Sequence, residues 1–97
     1  MEVSEFVVFK FKADVSKVDQ NRLMESLTDC AKKYEGFMNR DFYYAESDNR
    51  WVDHIIWANS DFAVNAAENI MKDPKAGEVF QHIDESSIVM SHFKKMN

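Results

Sequence analysis

The chain is short of the residues that punctuate or cross-link a polypeptide. Its 97 residues include two glycines, one proline and one cysteine. A single cysteine excludes an intrachain disulfide and a thiolate metal cluster. Cys30 falls on the apolar stripe of a helical segment, where a buried, inert thiol is expected. With only two glycines there is no glycine-rich phosphate loop. No apolar run approaches the roughly 20 residues of a membrane span, and Met1-Glu2-Val3-Ser4-Glu5 has neither the basic nor the apolar region of a secretory signal. The expected location is the cytoplasm. Positive charge is also scarce: the net charge is −5 and the lysines and arginines are scattered. That argues against nucleic acid and against an anionic membrane as partners. The three histidines are dispersed, with no paired ligand spacing, so neither a metal nor a cofactor is expected.

What is present is apolar and strongly patterned. A hydrophobic fraction of 45% and a charged fraction of 30% describe one globular domain spanning residues 1–97. The stretch Arg50-Trp51-Val52-Asp53-His54-Ile55-Ile56-Trp57 reads as a strand that is apolar on both faces. Trp51, Ile55 and Trp57 point one way and Val52 and Ile56 the other. Phe6 to Lys12 is a first strand, with Val7, Phe9 and Phe11 on one face and Phe6, Val8 and Lys10 on the other. Asp14 or Ser16 offers a cap for a helix from about Val18 to Glu35, whose stripe is Leu23, Leu27, Cys30 or Ala31, and Tyr34. Gly36 is placed to stop that helix. Phe37 to Glu46 is a second strand, interrupted by Arg40 and Asp41 and so read as an edge. After the third strand, Asn59 or Ser60 caps a second helix with Ala63, Ala66, Ala67 and Ile70 on its inner face. Asp73-Pro74 begins a further helical piece. Asp84 to Ser87 reads as a loop, and Ile88 to Phe93 as the last strand.

The order β-α-β-β-α-β predicts an α+β, ferredoxin-like fold: a four-stranded antiparallel sheet with its helices on one face. The first and third strands take the centre. Two helical layers shield one side of the sheet only, yet both sides read apolar. If the bare face exposes roughly 500 Å² of apolar surface, covering it is worth about 12 kcal/mol before association costs. A second copy, pressed sheet to sheet, is the expected partner.

The path from Gly36-Phe37 to Trp57, then Asn59-Ser60-Asp61 and an alanine-rich helix, resembles the dimeric α/β-barrel superfamily. Trp51-x-Asp53-x-x-x-Trp57, Asp73-Pro74, Phe80-x-x-Ile83-Asp84 and Ser87-x-x-Met90-x-His92-Phe93 sharpen the likeness to its antibiotic-biosynthesis-monooxygenase-like members. The resemblance covers nearly the whole chain. It implies a homodimer that closes into an α/β barrel, and a pocket between sheet and helices in which aromatic compounds are oxidised without a cofactor. Trp57 matches the tryptophan at the end of the third strand in that pattern. The residues of haem-degrading relatives are absent: their positions fall at Val7 and near Ala66 and Ala76. The superfamily hosts unrelated chemistries, so the resemblance implies fold more firmly than function.

Three polar residues stand in otherwise apolar strands: Lys10, Asp53 and His92. Alternation allows them to share one sheet face, where a histidine beside a carboxylate could act as a general base. Asp53 and His92 are therefore the candidate catalytic residues. The competing reading is a self-satisfied cluster at the dimer interface that fixes strand register. Trp57, His54, Lys10 and Tyr43 are candidates for contacting a small-molecule ligand, with His54 expected to enter the helix-side pocket. The expected function is a cofactor-independent, monooxygenase-like enzyme acting on a small aromatic or enolisable compound. The alternative is a non-catalytic ligand-binding or structural dimer.

Overall fold

The computed structural model describes residues 1–97. Its elements are β1 (Val3–Phe11), α1 (Lys17–Lys32), β2 (Phe37–Ala45), β3 (Arg50–Trp57), α2 (Ser60–Ile70), α3 (Pro74–Phe80) and β4 (Ile83–Phe93). The strands form one antiparallel sheet in the order β2-β3-β1-β4, so the two strands that are apolar on both faces sit in the middle, as the sequence predicts.

Alternation decides which side chains the helices cover. On β3, Trp51, Asp53, Ile55 and Trp57 are buried and the residues between them are only half-buried. On β1 the covered set is Val3, Glu5, Phe9 and Phe11. These residues pack into two clusters. Phe9, Phe11 and Trp51 meet Leu23, Leu27 and Met24 of α1 and Val79 of α3. Val3, Ile55 and Trp57 meet Ala31 of α1 and Ala63 and Ala66 of α2. Full burial of a side chain such as Leu23 or Phe9 contributes about 1.5–3 kcal/mol. Glu5 and Asp53 lie on the same face between the two clusters.

The caps follow the sequence closely. Ser16 accepts from the Asp19 amide, Asn59 from that of Phe62, and Asp73 from that of Lys75, with Pro74 opening α3. Gly36 does not end α1, which stops at Lys32; it lies in the turn before β2 with φ +87°. A Cβ there would fall 2.4 Å from the Phe62 ring, so the close approach of α2 to this turn admits only glycine.

Two strands begin earlier than the sequence reading places them. β1 starts at Val3 rather than Phe6, because Glu5, which reads as a solvated residue, is paired and buried. β4 starts at Ile83 rather than Ile88. The segment read as a loop is instead a bulge, since the pairing jumps from Val8–Val89 to Lys10–Asp84. Its polar residues replace the missing ladder. The Ser87 hydroxyl accepts from the Lys10 amide at 2.8 Å and donates to the Asp84 carbonyl at 2.6 Å.

Candidate functional site

A cavity of about 290 Å³ lies between the helix-side face of the sheet and the helices. Val7 and Phe9 of β1, Ile55 of β3, Leu27 of α1, Ile70 of α2 and Phe80 of α3 form much of its apolar wall. It opens beside the β4 bulge, where Met71, Ile88 and Met90 line it and remain exposed. The bulged segment thus borders the mouth, to which it contributes Glu85 and Ile88. The alanines of α2 contribute as well, since Ala67 lines the cavity and fills little of it.

Two carboxylates reach the cavity from the central strands, and each meets a nitrogen-bearing side chain from the neighbouring edge strand. Asp53 on β3 accepts from Arg40 Nε on β2 at 2.8 Å. The same guanidinium uses Nη1 to reach the Met24 carbonyl and the Thr28 hydroxyl of α1, each at 2.7 Å. Its side chain is fully buried and its Nη2 has no partner. Arg40 therefore ties the edge strand directly to α1 and holds Asp53 of β3 with the same guanidinium. Burial pushes the Asp53 carboxyl up from its ordinary 3.8, and the Arg40 guanidinium pulls against that shift.

Glu5 on β1 is met by His92 on β4, the residue directly opposite in the ladder, with Nε2 at 2.8 Å from Oε1. Burial raises the Glu5 pKa above its ordinary 4.5, His92 opposes the rise, and the nearby Asp53 charge adds to it. A carboxylate with a raised folded-state pKa adds stability that is fully present below the unfolded value and is lost as pH rises through the folded one. Glu5 and Asp53 therefore both favour the folded state more in acid than at neutrality. The Trp57 indole is close enough to favour the charged form of Glu5, yet its Nε1 makes no hydrogen bond.

The structure separates the residues singled out from sequence into two groups. Asp53 lines the cavity, and His92 supports a residue that does. Lys10 does not join them: it pairs with Arg50 on the opposite face, because its position on β1 has the parity of Phe6 and Val8. His54 also lies on that face, not in the helix-side pocket; it is bonded to the Ser4 hydroxyl at 2.9 Å and stacked on Phe6 at 4.1 Å. Tyr43, opposite Val52, is exposed on the same bare face. Trp57 is on the helix side but is 1% exposed and packs within its cluster without lining the cavity. Glu5 and Arg40 were not singled out. Extending the alternation of Val7, Phe9 and Phe11 back to Val3 would have placed Glu5 on the covered face.

No protein-family model matches this sequence, and no curated protein matches it. Solved structures do. A point variant of SnoaB, a cofactor-independent oxygenase from Streptomyces nogalater, aligns with a TM-score of 0.80 at 14% identity over 99% of this chain and 94% of its own. A candidate antibiotic biosynthesis monooxygenase from Bordetella bronchiseptica aligns with a TM-score of 0.75 at 10% identity over 99% and 98% of the two chains. Rv0793 from Mycobacterium tuberculosis aligns with a TM-score of 0.69 at 11% identity over 100% and 97%. The chain shares with these proteins one fold, a four-stranded antiparallel sheet with its helices on one face. At these identities the likeness establishes the fold and leaves the chemistry to the residues.

Arg40→Leu strands Asp53 as a buried charge and is expected to cost about 3–5 kcal/mol at pH 7. The lone Asp53 would keep a raised folded-state pKa, so the deficit should shrink as pH falls and the carboxyl protonates. Adding Asp53→Leu should restore much of the loss. Urea denaturation at pH 5 and pH 8 checks this; a loss that is independent of pH and persists in the double variant would contradict it.

Proposed function

We propose that the chain binds a small aromatic or enolisable compound in this cavity and acts on it as a monooxygenase-like enzyme that needs no cofactor. The observation that carries this reading is a buried carboxylate, Glu5, at the wall of an otherwise largely apolar cavity of about 290 Å³. Burial makes Glu5 a stronger base than an exposed glutamate. His92 engages Oε1, and Oε2 makes no hydrogen bond. Glu5 is thus the catalytic base and His92 the residue that positions it. Asp53, already held by Arg40, supplies fixed charge and register.

The chemistry requires nothing from outside the substrate and dioxygen. Glu5 takes a proton from an acidic C–H or O–H, and the resulting electron-rich anion gives its electrons to O2. For an activated CH2 group the products are C=O and H2O, so the substrate supplies every electron. After transfer, the protonated Glu5 can donate a hydrogen bond to the anion it has made. The same fold in SnoaB carries a cofactor-independent oxygenase, which adds support. The second reading is a binding protein without catalysis. It is favoured by one observation: Trp57, His54, Lys10 and Tyr43 all lie outside the cavity wall.

Oxygen uptake and thermal stabilisation against a panel of quinols and polycyclic C–H acids separate the two. Uptake above the uncatalysed rate is expected with at least one compound, and Glu5→Gln should lower kcat by about 100-fold or more with little change in KM. Stabilisation without uptake would leave the binding reading. Neither effect would overturn both.

We also propose that the bare sheet face pairs with a second copy of the chain. Its centre is Phe6, Val8, Val52 and Ile56, all half-buried in the single chain, and it is bordered by Tyr43, Val89 and Phe93, which are 57%, 65% and 51% exposed. A continuous apolar sheet face of this kind is more than a monomer ordinarily leaves open. Sedimentation at micromolar concentration should give a dimer that Val52→Asp splits. A stable wild-type monomer would contradict the pairing.

A further inference from the structure

The polar side chains that line the cavity are Glu5, Asp53 and Glu85, and all are carboxylates. No hydroxyl, amide, imidazole, ammonium or guanidinium group joins them in the wall. Arg40 and His92 each stand one step behind a carboxylate, so they are directed at Asp53 and Glu5 rather than into the cavity. Glu85 sits on the β4 bulge at the mouth, is exposed, and forms no ion pair. With its carboxylates ionised, the cavity therefore offers acceptors and negative charge, and in that state its wall has no side-chain donor of its own.

We infer that the cavity selects its occupant by charge, taking a compact aromatic molecule that carries a protonated amine and rejecting the carboxylate of the same skeleton. The inference rests on the reading of the cavity as the ligand site. An ammonium brings three N–H donors and a positive charge to a wall of acceptors, whereas a neutral hydroxyl brings one donor and no charge. An anion would face Glu5 and Glu85 with no donor to offset the repulsion, in surroundings where charges are poorly screened. Desolvation by burial is the main penalty on the Glu5 charge, and a bound cation relieves it. The apolar wall takes up the ring system, and the exposed Met71 and Met90 at the mouth are flexible side chains able to close over it.

Three compounds on one bicyclic skeleton test the inference directly: naphthalen-2-ylmethylamine, naphthalen-2-ylmethanol and naphthalene-2-carboxylate. Titration calorimetry and thermal shift at pH 7 should show the amine binding about tenfold more tightly than the alcohol, with no detectable binding of the carboxylate. Glu5→Gln should weaken the amine by about tenfold more than it weakens the alcohol, so that the two bind alike. Should Glu5→Gln fold poorly, Glu85→Gln is expected to weaken the amine alone, by a smaller factor. An alcohol or carboxylate that binds as tightly as the amine overturns the charge selection and leaves the cavity a ligand site. Failure of all three compounds, while a member of the oxygen-uptake panel binds, likewise overturns the selection alone. Failure of every compound in both sets removes the ligand site itself.

Discussion

Two carboxylates face the helices from the two central strands, and neither can be left there alone. A charge in this layer needs a partner or a proton. The sheet order supplies the partners: β2 flanks β3 and brings Arg40 to Asp53, while β4 flanks β1 and brings His92 to Glu5. The partners differ in kind. A guanidinium is always charged and is anchored further on the Met24 carbonyl and Thr28, so Asp53 is bound into the frame. The His92 imidazole makes one hydrogen bond to Glu5 and no further tie to a helix, and Glu5 stands at the cavity wall. One pair is thus tied into the frame by three bonds, and the other rests on a single hydrogen bond.

The cavity exists because the elements around this polar band do not close over it. The core forms two apolar clusters, one built on α1 and α3 and the other on α1 and α2, with Glu5 and Asp53 between them. At that level α2 presents the small side chain of Ala67, and the β4 bulge borders the opening. The apolar volume that would normally fill the gap is missing, and two acids line it instead. Such a site is costly for stability and useful for chemistry. The opposite face of the sheet shows the converse. His54 is hydrogen-bonded through Nε2 to Ser4 and stacked on Phe6, among the half-buried Val8, Val52 and Ile56.

Much of this architecture was legible in the sequence. Apolar residues on both faces of Trp51–Trp57 placed β3 centrally, and Ser16, Asn59 and Asp73-Pro74 marked the helix starts. The site was legible only in part, for identifiable reasons. Asp53 and His92 stood out as polar residues in apolar strands, but which of them meet depends on strand order and register. His92 proved to be opposite Glu5, and Lys10 fell on the other face by parity. Glu5 was masked by its acidic neighbourhood at the start of the chain, where charge ordinarily signals solvent. Arg40 looked like an interruption of an edge strand and is instead a buried tie to α1. The β4 bulge was hidden in Asp84 to Ser87, whose polar side chains read as loop because they bond to backbone in place of a ladder.

The role proposed for Glu5 comes down to its protonation. A carbon-detected NMR titration of the glutamate side-chain carboxyls, with Glu5 assigned through Glu5→Gln, reads it without any ligand. The account predicts that Glu5 titrates above the ordinary 4.5, because burial outweighs the hydrogen bond from His92. A Glu5 carboxyl that titrates at or below that value would be a fixed ionic partner of His92, and the proton-transfer role assigned to it would be contradicted.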